Sequence, residues 1–211
     1  MDNKQYIQEM VSKARLAQKA FEGFSQEHVD AIVKAMGKVV YDNAEILAKE
    51  AVEETRMGVY EDKVAKNKGK SKNIWNHLKD KKSIGIIDED KRKGLIYVAK
   101  PIGVVCAVTP TTNPIVTPMC NAMFALKGGN AIIVAPHPRA KKCSKHTVDL
   151  MNAQIKKLGA PDHMIQIIEE PSVDLTNELM QACDVVLATG GMGMVKAAYS
   201  SGKPSFGVGA G

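Results

Sequence analysis

The sequence is poor in aromatic residues, with 4 Phe, 5 Tyr and 1 Trp among 211, so any core must be filled by Val, Ile, Leu, Ala and Met. Cysteine is also scarce. Cys106, Cys120, Cys143 and Cys183 form no C-x-x-C pair and no Cys/His cluster at zinc spacing, so no metal site is expected. Unpaired cysteines in apolar surroundings suit a reducing cytoplasm. No apolar run reaches the roughly 18 residues of a membrane span. The start, Met1 to Glu9, is polar and lacks the apolar core of a signal peptide. There is no P-loop G-x-x-x-x-G-K-S/T, which counts against a kinase or ATPase, and no complete G-x-G-x-x-G. Helix-turn-helix, zinc-finger and aromatic RNA-binding patterns are missing, so no nucleic-acid partner is expected.

What is present is a globular composition. Hydrophobic residues make up 45%, enough for a sizeable core. The net charge of +6 favours anionic partners such as phosphorylated cofactors, or else marks a Lys-rich solvated surface.

The segment 1–82 reads as helical. Ile7, Met10, Val11, Ala14, Ala17, Gln18 and Phe21 fall at helical spacing, with Gly23 as a stop. Ser25 marks a second helix start, and Val29, Ile32, Val33, Met36, Val39 and Val40 form its apolar stripe. A third helix is expected from about Asn43 to Thr55, closed near Gly58. Tyr60 to Lys82 is Lys-rich, with Val64, Ile74, Trp75 and Leu78 as thin apolar anchors, and reads as a solvated helix face.

The period changes in the segment 83–100. Ser83 to Asp88 and Leu95 to Lys100 predict a β-hairpin around the polar turn Glu89 to Gly94. From Pro101, in the segment 101–211, apolar strands alternate with amphipathic helices. Strands are expected at 103–108, 130–135, 164–168 and 184–188, and helices at 115–126, 140–158, 173–181 and onward from Thr189-Gly190-Gly191 to about Ser200. Continuous apolar strands between helices predict an α/β fold with a Rossmann-like parallel sheet, covered on both faces.

In such a sheet, ligands bind beyond the carboxyl ends of the strands. Three loops lie at such ends. Thr109-Pro110-Thr111-Thr112-Asn113-Pro114 presents hydroxyl and amide groups on a backbone stiffened by proline. It suits hydrogen bonding to phosphate, ribose or an oxyanion, or else is a rigid turn capping the next helix. Ala135-Pro136-His137-Pro138-Arg139-Ala140-Lys141-Lys142 turns a strand end into a helix start with a histidine and three cations beside it. That combination favours an anion, or else is a proline-shaped surface turn. Thr189-Gly190-Gly191-Met192-Gly193 opens a helix with glycines that let a ligand approach the backbone.

These three loops, together and in this order, resemble those of the CoA-acylating aldehyde dehydrogenases. The helical segments Val39 to Glu45 and Glu53 to Lys63 are most similar to the CoA-dependent succinate-semialdehyde branch. The resemblance covers essentially the whole chain. It implies NAD(P)-dependent interconversion of an acyl-CoA, succinyl-CoA by branch, and its aldehyde, with NAD or NADP as cofactor and coenzyme A as co-substrate. It implies that Asn113 forms part of the oxyanion hole and that Thr109, Pro110, Thr111 and Thr112 lie beside the nicotinamide. His137, Pro138 and Arg139 stand where hydrolytic members carry a lysine-containing ribose clamp, with Ala135 at the lysine's place. Thr189, Gly190, Gly191 and Gly193 match the helix that receives the pyrophosphate. Gly207 to Gly211 fall where hydrolytic members place a Glu-Leu-Gly-Gly run, and no glutamate is present, as expected if CoA resolves the thioester. The hairpin at 83–100 matches strands that build an inter-subunit surface, so a homo-oligomer is expected. The family's nucleophilic cysteine would fall some dozens of residues beyond Gly211. The chain is therefore expected to be a fragment or truncated gene product without the catalytic-cysteine domain, and inactive alone. Cys120 in an apolar helix and Cys183 before a strand are not expected to substitute. The alternative is a non-catalytic nucleotide-binding or interaction module.

Overall fold

A computed structural model describes residues 2–209. Helix α1 (Asn3–Phe21) begins where the Asp2 carboxylate accepts from the Gln5 amide at 2.7 Å, and it buries the expected stripe from Ile7 to Phe21. Ser25 caps α2 (Gln26–Asp42) by accepting from the His28 amide, as its position in the sequence predicts. Helix α3 (Ala44–Thr55) closes on Arg56 in the left-handed region, with Gly58 following at φ +83°. Helix α4 (Tyr60–Leu78) is more than a solvated face. Leu78 is buried and Val64, Ile74 and Trp75 are half-buried, but Asn67 and Ser71 are buried as well. The Asn67 amide donates to the Ala44 carbonyl, and the Ser71 hydroxyl donates to the Asn67 carbonyl. The Asn67 side chain, satisfied by a backbone carbonyl, thus seats α4 against α3.

Strands β1 (Gly85–Asp90) and β2 (Leu95–Ala99) form the expected antiparallel ribbon. The first strand runs two residues beyond the expected end at Asp88. Glu89 and Asp90 pair with Ile96 and Leu95, and the Asp90 carboxylate closes the turn by accepting from the Arg92 and Lys93 amides. At its base, the Gln26 side-chain carbonyl accepts from the amides of Ser83 and Ile84.

The core is a parallel sheet of β3 (Val104–Thr109), β4 (Ala131–Pro136), β5 (Ile165–Ile167), β6 (Val185–Thr189) and β7 (Ser205–Val208), in the order β5-β4-β3-β6-β7. Every residue of β3 and β4 is buried, as continuous apolar runs require when both faces are covered. The crossovers are α5 (Val116–Lys127), α6 (Lys141–Lys157), α7 (Val173–Ala182) and α8 (Met192–Tyr199). Helices α2, α5 and α6 pack together on one side, with α3 and α4 outside them, while α1 packs with α7 and against β4. Met36, Met119, Met123, Met151 and Met164 are fully buried, so methionine fills the space that aromatic residues do not. No described helix is long and apolar enough to cross a membrane.

Two features escape the local sequence pattern. A 3-10 turn, Pro138–Ala140, precedes α6, so that helix starts at Lys141. Strand β7 lies in a stretch that reads only as glycine-rich. It pairs with β6 from Val186↔Ser205 to Thr189↔Val208, and α8 lies so close that a Cβ on Gly207 would come within 2.6 Å of Val195. Gly207 is there for packing, and Ala210 and Gly211 of the same run lie outside the described residues.

Arg15 on α1 reaches the amino end of β6. Its guanidinium donates twice to Asp184, at 2.8 Å each, and the same carboxylate accepts from the Val104 amide. Gly103 makes room for this. Its φ is +129°, and a Cβ there would lie 2.3 Å from Asp184 Oδ2.

Candidate active site

The strand order reverses around β3, whose neighbours are β4 and β6, and a crevice opens beyond the carboxyl ends of these three strands. A cavity of about 260 Å³ lies there. The expected residues Thr109 and Pro110, His137 and Pro138, and Thr189, Gly190 and Gly191 all line it. The fold thus brings the three loops together. Ser172 and Thr176, not foreseen, complete one wall from the start of α7, where Ser172 also caps the helix. The signal was present: a serine just before an apolar helical run.

Each loop contributes differently. The Thr109 hydroxyl is buried and has no hydrogen-bond partner in the protein. Such a group calls for a polar partner from outside the chain. His137 accepts from the Arg139 amide through Nδ1 at 3.1 Å, which leaves Nε2 as the protonated, donating nitrogen. Burial, with Arg139 nearby, lowers the His137 pKa, so the ring is neutral at neutral pH. Helix α8 starts without any side-chain cap. Gly191 has an ordinary extended conformation, and a Cβ on Gly191 or Gly193 would meet nothing within 4 Å. Neither backbone conformation nor internal packing asks for glycine there. Bare amides at the positive end of an open helix start suit a phosphate group.

The second loop departs from the expected anion site. The first turn of α6 is already occupied: Glu54 on α3 accepts from the Lys142 amide at 2.9 Å and the Cys143 amide at 2.8 Å. Lys141 pairs with Glu170, and Lys142 faces a separate cleft with Glu50, Glu53 and Glu54. The anion attraction read from the sequence is therefore satisfied within the chain, and α8 is the helix start left open at the crevice. Arg139 is exposed, and Gly193 lies in the first turn of α8, outside the cavity wall.

Thr111, Thr112 and Asn113 do not line the cavity, and the Thr112 carbonyl and Asn113 Oδ1 face lysines of α4. Thr111 is buried. Lys63 Nζ donates to the Thr112 carbonyl and Lys66 Nζ donates to Asn113 Oδ1, both at 3.1 Å. These lysines belong to the run that reads as a solvated face, and no local signal distinguishes them from their neighbours. Burial, with Lys66 beside it, lowers the Lys63 pKa.

No described cysteine is an activated thiol. Burial pushes Cys120 up to about 11 and Cys183 up to about 12. It also raises Cys106 and Cys143, the latter with Glu54 adding to the effect. Among the described residues, no group of three or more His, Cys, Asp or Glu side chains is placed to hold a metal ion.

A parallel sheet whose strand order reverses at β3, with a crevice at that reversal, defines the chain as a Rossmann-like α/β protein. Residues 1–205 match the aldehyde dehydrogenase family. The chain is 66% identical over its whole length to the succinate-semialdehyde dehydrogenase (acetylating) of Clostridium kluyveri, of which it spans 47%. It superposes on an acetylating aldehyde dehydrogenase from Geobacillus thermoglucosidasius with a TM-score of 0.96 at 42% identity, covering 99% of this chain and 47% of that one. An engineered glycolyl-CoA reductase comprising 8 mutations, with bound NADP+, gives 0.84 at 34% identity over 97% of this chain and 47% of its own. The chain belongs to the aldehyde dehydrogenase family. It spans 47%, 42% and 45% of three curated relatives, and 23% of the bifunctional aldehyde-alcohol dehydrogenase of Escherichia coli (strain K12).

Proposed function

We propose that this chain is the cofactor-binding part of an enzyme that interconverts an acyl-CoA and its aldehyde with NAD(P), and that the acyl group is succinyl. The observation that carries the reading is the crevice at the ends of β3, β4 and β6, with the uncapped start of α8 on its rim. The 66% identity to the Clostridium kluyveri enzyme supports the acyl group. The relative with bound NADP+ supports the cofactor, and the orphan hydroxyl of Thr109 and the open glycines of α8 fit a dinucleotide.

When bound, the nicotinamide supplies the hydride. The chain's own residues bind and orient. The amides at Gly191 to Gly193 receive the pyrophosphate. His137, neutral and donating through Nε2, hydrogen-bonds a ribose hydroxyl, with Pro138 fixing its place and Arg139 its tautomer. Thr109, Pro110 and Thr189 form the wall against which the nicotinamide half lies. The amide of Asn113 donates to the oxyanion that develops on the acyl carbonyl. The attacking thiolate comes from a cysteine beyond the residues described here. Coenzyme A is the co-substrate. The exposed ribbon β1–β2 joins copies of the chain into a homo-oligomer.

NMR titration of the chain with NAD+ and NADP+ tests the reading. Shifts should concentrate at Thr109, His137 and Thr189 to Gly193. Shifts confined to the cleft between α3 and α6 would overturn it. A non-catalytic module is the second reading, favoured by the protonated state of each described thiol. Succinyl-CoA-dependent oxidation of NAD(P)H by the full-length enzyme excludes it.

A further inference from the structure

We infer that Lys66 is a positioning residue for this reaction: it sets the orientation of the Asn113 side-chain amide. The inference rests on the reading of Asn113 as an oxyanion donor. A carboxamide can sit in either of two orientations that differ only in exchange of its oxygen and nitrogen, and hydrogen bonding decides between them. Only one suits an oxyanion, because an outward-facing Oδ1 would repel it. Lys66 selects that one. An ammonium carries donors and no acceptor, so it must face Oδ1, and it does so at 3.1 Å. The nitrogen is thereby turned the other way. One of its hydrogens points to Thr112 Oγ1 at 3.4 Å, which leaves the second free to donate. The positive charge on the oxygen side also polarises the amide and strengthens its N–H as a donor.

The backbone beneath is fixed in the same manner. Lys63, one helical turn before Lys66 on α4, donates to the Thr112 carbonyl at 3.1 Å. Its stem lies over Gly58, where a Cβ would come 2.8 Å from Lys63 Cε. Gly58, which follows the end of α3 at φ +83°, carries no side chain to crowd that stem. The two lysines act on the two halves of one hydrogen-bonding unit, main chain and side chain. Neither lines the dinucleotide cavity. The expected signature is thus a change in turnover rather than in cofactor affinity.

Acyl-CoA reduction by the full-length enzyme tests this with Lys66→Met, Lys66→Arg, Asn113→Ala and the double variant. Loss of an oxyanion donor lowers kcat on the order of a hundredfold. Lys66→Met should lower kcat about tenfold, a fraction of that loss, with KM within about twofold. Lys66→Arg, which keeps a donor to Oδ1, should recover most of the rate. In the Asn113→Ala background, Lys66→Met should change nothing further. Unchanged kcat in Lys66→Met overturns the inference, and so does an equal loss with and without Asn113. Unchanged kcat in Asn113→Ala overturns the oxyanion reading itself, and the role of Lys66 with it.

Discussion

Arg15 and Asp184 stand 169 positions apart and meet through two hydrogen bonds of 2.8 Å, which fasten the first helix to the amino end of the sheet. Burial alone would push the Asp184 carboxyl up. The Arg15 guanidinium and the Val104 amide outweigh it and hold the carboxyl below its ordinary range. Because its pKa is lower in the fold than in the unfolded chain, the stability it gives is complete above about pH 5. That stability is lost as the pH falls through about 4 toward the folded value. Urea midpoints measured across this range should fall for the wild type. Arg15→Met should start lower, by about 1 kcal/mol for a partly exposed pair, and fall less steeply. Parallel curves for the two proteins would refute the assignment.

Gly191→Ala should separate folding from binding. A Cβ there meets nothing, so the melting temperature should stay within about a degree. Dinucleotide-induced shifts at α8 should weaken markedly, because the methyl occupies the approach to the amides. Glu54→Gln should do the reverse. It weakens the cap of α6 and costs about 1 kcal/mol, while dinucleotide shifts persist. If Gly191→Ala binds as well as the wild type, the open start of α8 is not where the pyrophosphate rests.

Helix positions, strand positions and the strand-end loops were legible because they depend on periodicity and on proline and glycine within a few residues. Ser25, for instance, caps α2 where its place before the Val29 stripe indicates. What remained hidden depends on partners distant in sequence. Glu54 fills the amino end of α6 from 88 positions away, and the spacing of cations in that loop cannot show it. Lys63 and Lys66 look like any lysines of a charged run until the fold places Thr112 and Asn113 opposite them. Strand β7 escaped because Gly207 and its neighbours carry a packing requirement of α8 rather than a strand-like composition.

The thiols should be slow to react while the chain is folded. At about pH 7.5, a pKa near 11 for Cys120 or 12 for Cys183 leaves a negligible thiolate fraction. Labelling with Ellman's reagent should therefore take far longer than for a free thiol, rise with pH, and reach all four cysteines at once in denaturant. Cys120→Ala and Cys183→Ala should leave enzymatic turnover unchanged. A rapidly labelled thiol at neutral pH would contradict the burial described here.

The ribbon β1–β2 should behave as an unpartnered surface. Ile96 is 61% exposed, Ile86 52% and Val98 50%, too much apolar area for a two-stranded ribbon to hold alone in water. Light scattering should show self-association, or else hydrogen exchange should show unprotected amides from Gly85 to Ala99. A strict monomer with strongly protected ribbon amides would show that the ribbon is stabilised by its own domain.

The position of β3 at the centre of the sheet has a consequence for biosynthesis. β3 emerges from the ribosome before every other strand of the sheet, yet it needs both neighbours. β4 follows closely, with Val104 opposite Ala131, but the Val104 amide finds Asp184 only 80 positions on. Until β6 has been made, one edge of a strand that is buried along its whole length in the fold stays open. Parallel pairing over such separations is slow. The nascent chain therefore passes through a stage at which it is a natural client for chaperones, and crowding of incomplete chains on a polysome should favour aggregation over folding.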